Sequence, residues 1–171
     1  MKTILALFGG MLLLQACAYP ISKDLVERTD KAITFEMLRS DPDRYKGKTV
    51  ILGGSIVQVT VLAQGSLIEV TRSPLDYWGK PIRHNRQGSR FVVYSPAYVD
   101  PDTYAPQREI TVAGEVKGTV LRVTGLPEMT YSFPVIISRE IKLWPNRLTQ
   151  EQPEWLDPLY NRKQSPVQPQ Y

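Results

Sequence analysis

One run of residues restricts the fold more than any other: Thr49 to Val59, Thr-Val-Ile-Leu-Gly-Gly-Ser-Ile-Val-Gln-Val. Aliphatic and β-branched residues on both sides of Gly53-Gly54 favour one long strand. Two glycines in its middle remove the side chains that would hold it straight, so a bulge or sharp bend is expected there, as at a barrel corner. Four more stretches carry strand patterns. Ser66 to Arg72 puts Ile68 and Val70 on one face and Glu69 and Thr71 on the other. Arg90 to Tyr94 is short and apolar. Arg108 to Gly118 alternates Ile110, Val112, Gly114 and Val116 against Glu109, Thr111, Ala113 and Glu115. Phe133 to Trp144 groups Val135, Ile137, Ile141 and Leu143, with Arg139 interrupting that face. Gln64-Gly65 supplies a hairpin turn. The pattern predicts a mainly β fold: a single small antiparallel barrel, five-stranded and OB-like, with a two-sheet sandwich as the alternative. Before the first strand, Thr34 is placed as the N-cap of one short helix bearing Phe35 and Leu38. Asp41-Pro42 ends that helix, and residues 43–47 form a turn.

The N-terminus follows a different logic. Lys2 precedes an apolar run, Ile4 to Phe8 and Met11 to Leu14, interrupted by two glycines. A positive start, a short apolar core and small residues at its end make a secretory signal peptide. The run is shorter than the roughly 20 apolar residues a membrane-crossing helix needs. At its end Leu14-Gln15-Ala16-Cys17 resembles the lipobox of bacterial lipoproteins, which implies cleavage before Cys17 and acylation of that cysteine with three chains. One chain alone holds only marginally, at roughly 0.8 kcal/mol per buried CH₂, whereas three make escape into water negligible. Ala18 stands where an aspartate would favour retention at the inner membrane, so the resemblance implies transfer to the outer one. Cys17 is the only cysteine, which excludes a disulfide within the chain.

These signals divide the chain into residues 1–16 as signal peptide, 17–30 as lipidated tether, 31–145 as the barrel domain, and 146–171 as a Pro/Gln-rich tail, partly disordered. The formal net charge is +4, and cutting away Lys2 with the signal leaves +3. So mild an excess gives no expectation of nucleic-acid binding.

Residues with the chemistry of catalysis are sparse. His84 is the only histidine and sits in a basic loop without an orienting partner. No H-E-x-x-H and no G-x-S-x-G occurs, and Gly53-Gly54 precedes a strand rather than a phosphate-cradling helix. Asp41 with Asp43 and Asp100 with Asp102 are close carboxylate pairs, yet each lies beside a proline, where aspartate forms turns. No enzyme activity, no cofactor and no metal site is expected. The more suggestive segment is the long loop from Ser73 to Ser89. Tyr77, Trp78, Lys80, Arg83 and Arg86, with Arg90 beyond them, offer aromatic and cationic groups to an anionic envelope component or an oligosaccharide.

A family resemblance runs through the chain. Phe35-Glu36-Met37-Leu38, then Asp41-Pro42-Asp43-Arg44-Tyr45-Lys46-Gly47-Lys48, then Leu52-Gly53-Gly54-Ser55-Ile56 follow in close order. Ser73-Pro74-Leu75-Asp76, Arg90-Phe91, Asp100-Pro101, Ile110-Thr111-Val112-Ala113-Gly114 and Ile141-Lys142-Leu143-Trp144 come after them. With the lipobox, this resembles the Slp family of outer-membrane lipoproteins. The resemblance implies a lipid-anchored, non-enzymatic envelope protein of the outer membrane, structural or stress-protective and associated with starvation and stationary phase.

Overall fold

The computed structural model describes residues 19–82, 89–123 and 130–146. Two short helices, α1 (Lys23–Arg28) and α2 (Phe35–Ser40), and a 3₁₀ turn (Pro42–Tyr45) precede five strands. These are β1 (Thr49–Val61), β2 (Ser66–Ser73), β3 (Arg90–Ser95), β4 (Glu109–Val123) and β5 (Thr130–Leu143). The strands close into a barrel in the order β1-β2-β3-β5-β4, with β4 returning to β1. Closure gives every strand two neighbours, while β4 beyond Gly118 and β5 before Val135 pair with each other as a two-stranded extension of the wall. The barrel is mixed rather than wholly antiparallel: β3 and β5 pair in parallel, Val93 opposite Ile136, and every other ladder is antiparallel.

The interior is set by strand alternation. Val50, Leu52 and Ile56 of β1, Ile68 and Val70 of β2, Phe91 and Val93 of β3, and Ile110, Val112 and Val116 of β4 form one cluster with Ile136 of β5. Helix α2 contributes Phe35 and Leu38 to the same cluster. It starts at Thr34, whose hydroxyl accepts from the Met37 N–H (3.3 Å), and its Phe35 ring meets Phe91 edge-on at 6.2 Å. Burying each such side chain contributes about 1.5–3 kcal/mol, which is the main support of a domain without a disulfide.

Glycines act here through close approach. A Cβ on Gly54 would stand 2.0 Å from the carbonyl oxygen of Thr71 on β2, and one on Gly53 would stand 2.3 Å from a Leu75 methyl on the outside. The bulge in β1 lies three residues further on, at Val57, between the pairs Ile56–Val70 and Gln58–Glu69. It returns Val59 to the interior side.

Two expectations are corrected by the packing. Of the stretch 17–30, expected to be a lipidated tether, the described residues 19–30 are folded onto the barrel: Ile21 is buried, Lys23–Arg28 is helical, and the Ser22 N–H donates to a Glu140 carboxylate oxygen at 2.9 Å. Among the described residues two short helices therefore stand where one was expected. In β5, Val135 and Ile137 do not share a face with Ile141 and Leu143. The ladder slips at Arg139, between Gly114–Ser138 and Ala113–Glu140. A bulge exchanges the two faces of a strand, so Ile136 points inward before it and Ile141 and Leu143 pack against the core after it. Arg139, the residue that broke the pattern in sequence, is the extra one, and its guanidinium holds Glu115 at 2.8 Å.

Candidate functional site

Two surface features stand out, and both lie on the outer wall of the barrel. The first is built on residues 74–82, which fold back over β1 and β4. Leu75 bridges to Pro81, and between them Asp76 makes a tight turn. One oxygen of its carboxylate accepts from the N–H groups of Trp78 and Lys80, both at 2.8 Å, and its carbonyl accepts from Gly79 at 3.0 Å. Gly79 has φ +75°, a left-handed conformation that costs glycine nothing. The turn is tied to the barrel by a relay: the Trp144 indole N–H donates to the Thr111 hydroxyl (2.9 Å), which donates to the Gly79 carbonyl (2.6 Å). Thr111 faces outward on β4 yet is fully buried under this turn.

At the tip, Tyr77 and Trp78 meet edge-on with centroids 5.2 Å apart and remain 87% and 56% exposed. Tyr19 enters the same place from the N-terminal side. A Cβ on Gly79 would lie 2.8 Å from its ring, so only glycine leaves room. Burial, and then the negative charge of Asp76, push the Tyr19 hydroxyl above the usual tyrosine range.

The cations expected in this segment are spent differently. Lys80 holds its ammonium 5.7 Å from the centre of the Trp144 ring. Arg90 is directed to Glu69, a buried carboxylate that also accepts from Gln58 at 3.1 Å. Arg90 is thereby withdrawn from the basic-aromatic set in which the sequence placed it. Arg83, His84 and Arg86 lie outside the described residues, as does Cys17.

The second feature is a groove of about 420 Å³ on another part of the wall, with Leu67 of β2, Val92 of β3 and Val135 of β5 among its apolar lining. Tyr94, Lys46, Lys117 and Thr119 supply polar groups, with the Lys117 ammonium 5.8 Å from the centre of the Tyr94 ring. Lys46 pairs with Asp43 at 3.1 Å. No local sequence signal marks this groove. Its residues come from the 3₁₀ turn and four strands, and only the register and the bulge of β4 at Lys117 bring them together.

The carboxylate pairs serve turns. Asp41 accepts from the Arg44 N–H at 3.3 Å. Asp100 accepts from the Thr103 hydroxyl (2.6 Å) and from the Asp102 and Thr103 N–H groups (3.2 Å each). Those bonds, the hydroxyl's first, hold the Asp100 carboxyl below the usual carboxylate range. Among the described residues, no group of three or more metal-ligating side chains converges, and no helix is long and apolar enough to cross a membrane.

Comparison with known proteins places the chain. It is 35% identical over 107 residues to an uncharacterized protein of Haemophilus influenzae, covering 62% of this chain and 57% of that one. It is 26% identical over 112 residues to the outer membrane protein Slp of Escherichia coli K12, covering 65% and 57%. The chain thus spans less than two thirds of these relatives. Among solved structures, a small single-stranded DNA-binding protein of Streptomyces coelicolor aligns with 59% of this chain and 97% of its own at 16% identity and a TM-score of 0.37. The Stn1–Ten1 complex of S. pombe aligns with 67% and 74% at 10% identity and a TM-score of 0.34. The model of the outer membrane lipoprotein Slp family matches residues 14–170, and the chain belongs to that family.

Proposed function

We propose that this protein is a non-catalytic component of the outer membrane, held there by acyl chains on Cys17 and serving a structural or protective role under starvation. The observation that carries the anchor is Leu14-Gln15-Ala16-Cys17, at the end of an apolar run and two residues before Tyr19, which packs on Gly79 of the barrel wall. A non-catalytic role is supported by how the titratable groups are used. Glu69 binds Arg90 and Gln58, Glu115 binds Arg139, and Asp76 and Asp100 cap their own turns. General acid–base chemistry needs such a group within reach of a substrate atom, and these are committed to the scaffold.

Cys17→Ser tests the anchor. An alcohol is a far poorer acceptor than a thiolate, so labelled fatty acid should no longer enter the protein and the chain should leave the outer-membrane fraction. Label and sedimentation unchanged in the mutant would refute the anchor. Growth of a deletion strain through starvation and acid challenge tests the protective role, and survival equal to the parent would count against it.

The groove favours a second reading, in which the barrel binds an anionic envelope component or oligosaccharide. Tyr94 offers a stacking face and Lys46, Lys117 and Thr119 offer donors over an apolar floor. The segment 73–90, with Tyr77 and Trp78 exposed, is the other candidate for such a ligand. Lys46→Gln with Lys117→Gln should weaken capture of lipopolysaccharide or peptidoglycan fragments and reduce its salt dependence. Unchanged capture would exclude the groove.

A further inference from the structure

We infer that the turn bearing Tyr77 and Trp78 is a membrane-contacting element, seated in the headgroup layer of the bilayer that holds the acyl chains. The inference rests on acylation of Cys17, as proposed above. Three independent observations lead to it.

The first is position. Tyr19 follows Cys17 by two residues, a span of about 7 Å at full extension. Its ring packs against Gly79, the residue next to Trp78 in the turn. Two residues of chain and the Tyr19 side chain therefore keep the acyl attachment point within roughly 25 Å of the two aromatic rings. The second is composition. Tyr77, Trp78 and Ile82 are exposed together on one short segment, and Tyr19 beside them is partly so. Tyrosine and tryptophan carry an apolar body with a polar tip, and they concentrate where a bilayer meets water.

The third is the state of the backbone. A turn entering the headgroup layer loses water from its N–H and C=O groups, and each unpaired one is costly. Here the N–H groups of Trp78, Gly79 and Lys80 are all bonded to Asp76, and the Gly79 carbonyl is bonded to Thr111. The tip can be dehydrated without stranding them. The same bonds fix the rings on a rigid platform, so little conformational freedom remains to be lost on contact. A protein partner on these rings would have to fit between the barrel and a bilayer that Cys17 already keeps close. Tyr98 provides the contrast: it is also exposed, but it lies on the β3–β4 connection, whose Val99 N–H donates to Ser66 at the start of β2, whereas the turn follows Ser73 at the end of that strand.

The test uses the full lipidated chain reconstituted into vesicles of phosphatidylethanolamine and phosphatidylglycerol. A nitroxide is attached through Tyr77→Cys, through Ile82→Cys, and through Tyr98→Cys as reference. An acylated Cys17 has no free thiol to compete. Collisions with oxygen, which concentrates in the bilayer, are compared with collisions with a water-soluble nickel chelate. The oxygen-to-nickel ratio at positions 77 and 82 should exceed that at position 98 several-fold. Equal ratios on protein that floats with the vesicles would overturn membrane contact while leaving the anchor standing. That outcome would fit a turn held open for a polysaccharide or protein. Protein that does not float, or that takes label at Cys17, would overturn the anchor and this inference together.

Discussion

Thr111→Val isolates the bond system that holds the aromatic turn to the barrel. Valine has nearly the shape of threonine but lacks the hydroxyl, so packing is kept while two hydrogen bonds are lost. The hydroxyl is fully buried and stands between the Trp144 indole (2.9 Å) and the Gly79 carbonyl (2.6 Å). A buried donor or acceptor left unpaired costs about 1–3 kcal/mol. Two are stranded here, and Trp144 is only partly buried, so water can reach one of them. The expected loss is about 2–3 kcal/mol, equivalent to a fall in Tm of roughly 6–15 °C for a domain of this size. Thr111→Ser is the control: it keeps the hydroxyl and removes one methyl, for about 1 kcal/mol. Urea denaturation of the acyl-free Cys17→Ser chain, followed by far-ultraviolet circular dichroism, measures all three proteins. Amide exchange at Gly79 and Lys80 should rise in the valine variant alone. A valine variant within about 0.5 kcal/mol of its parent, the range of ordinary surface substitutions, would refute the relay. So would a serine variant as unstable as the valine one.

Further outcomes follow from the same geometry. Leu38→Ala should cost about 2–5 kcal/mol in chemical denaturation, because Leu38 is fully buried in the cluster that fills the barrel. Gly54→Ala should cost about 1–3 kcal/mol or more, since its Cβ would meet the Thr71 carbonyl at 2.0 Å and two strand backbones would have to separate. Asp100 is held below the usual carboxylate range by the Thr103 hydroxyl and the Asp102 N–H. A depressed folded value means its stabilisation is present at neutral pH and disappears as pH falls through and below the ordinary carboxylate range. Asp100→Asn should therefore lower Tm at neutral pH and flatten its acid dependence, and parallel pH profiles for the two proteins would disprove this role.

Local pattern made much of this protein legible. The alternations of Ser66–Arg72 and Arg108–Gly118 assigned the correct interior faces in β2 and β4, because side-chain direction along a strand is fixed by the backbone itself. The N-cap at Thr34 and the turn-forming aspartates were also readable, since their bonds span three residues or fewer.

What the tertiary structure decided depends on register between distant strands. The slip at Arg139 exchanged the faces of β5, although the sequence showed only a charged residue out of place. Gly118, read as the end of a strand, sits at φ +118° beside the Lys117 bulge, and β4 continues past it to Val123. Arg90 resembled a free cation until pairing of β2 with β3 set it against Glu69, twenty-one residues away in sequence. The parallel closure of β3 on β5, the groove around Tyr94 and Lys117, and the folding of residues 19–30 onto the wall have the same origin. Each is a meeting of residues far apart in the chain, and closure of the barrel is what brings them within contact distance.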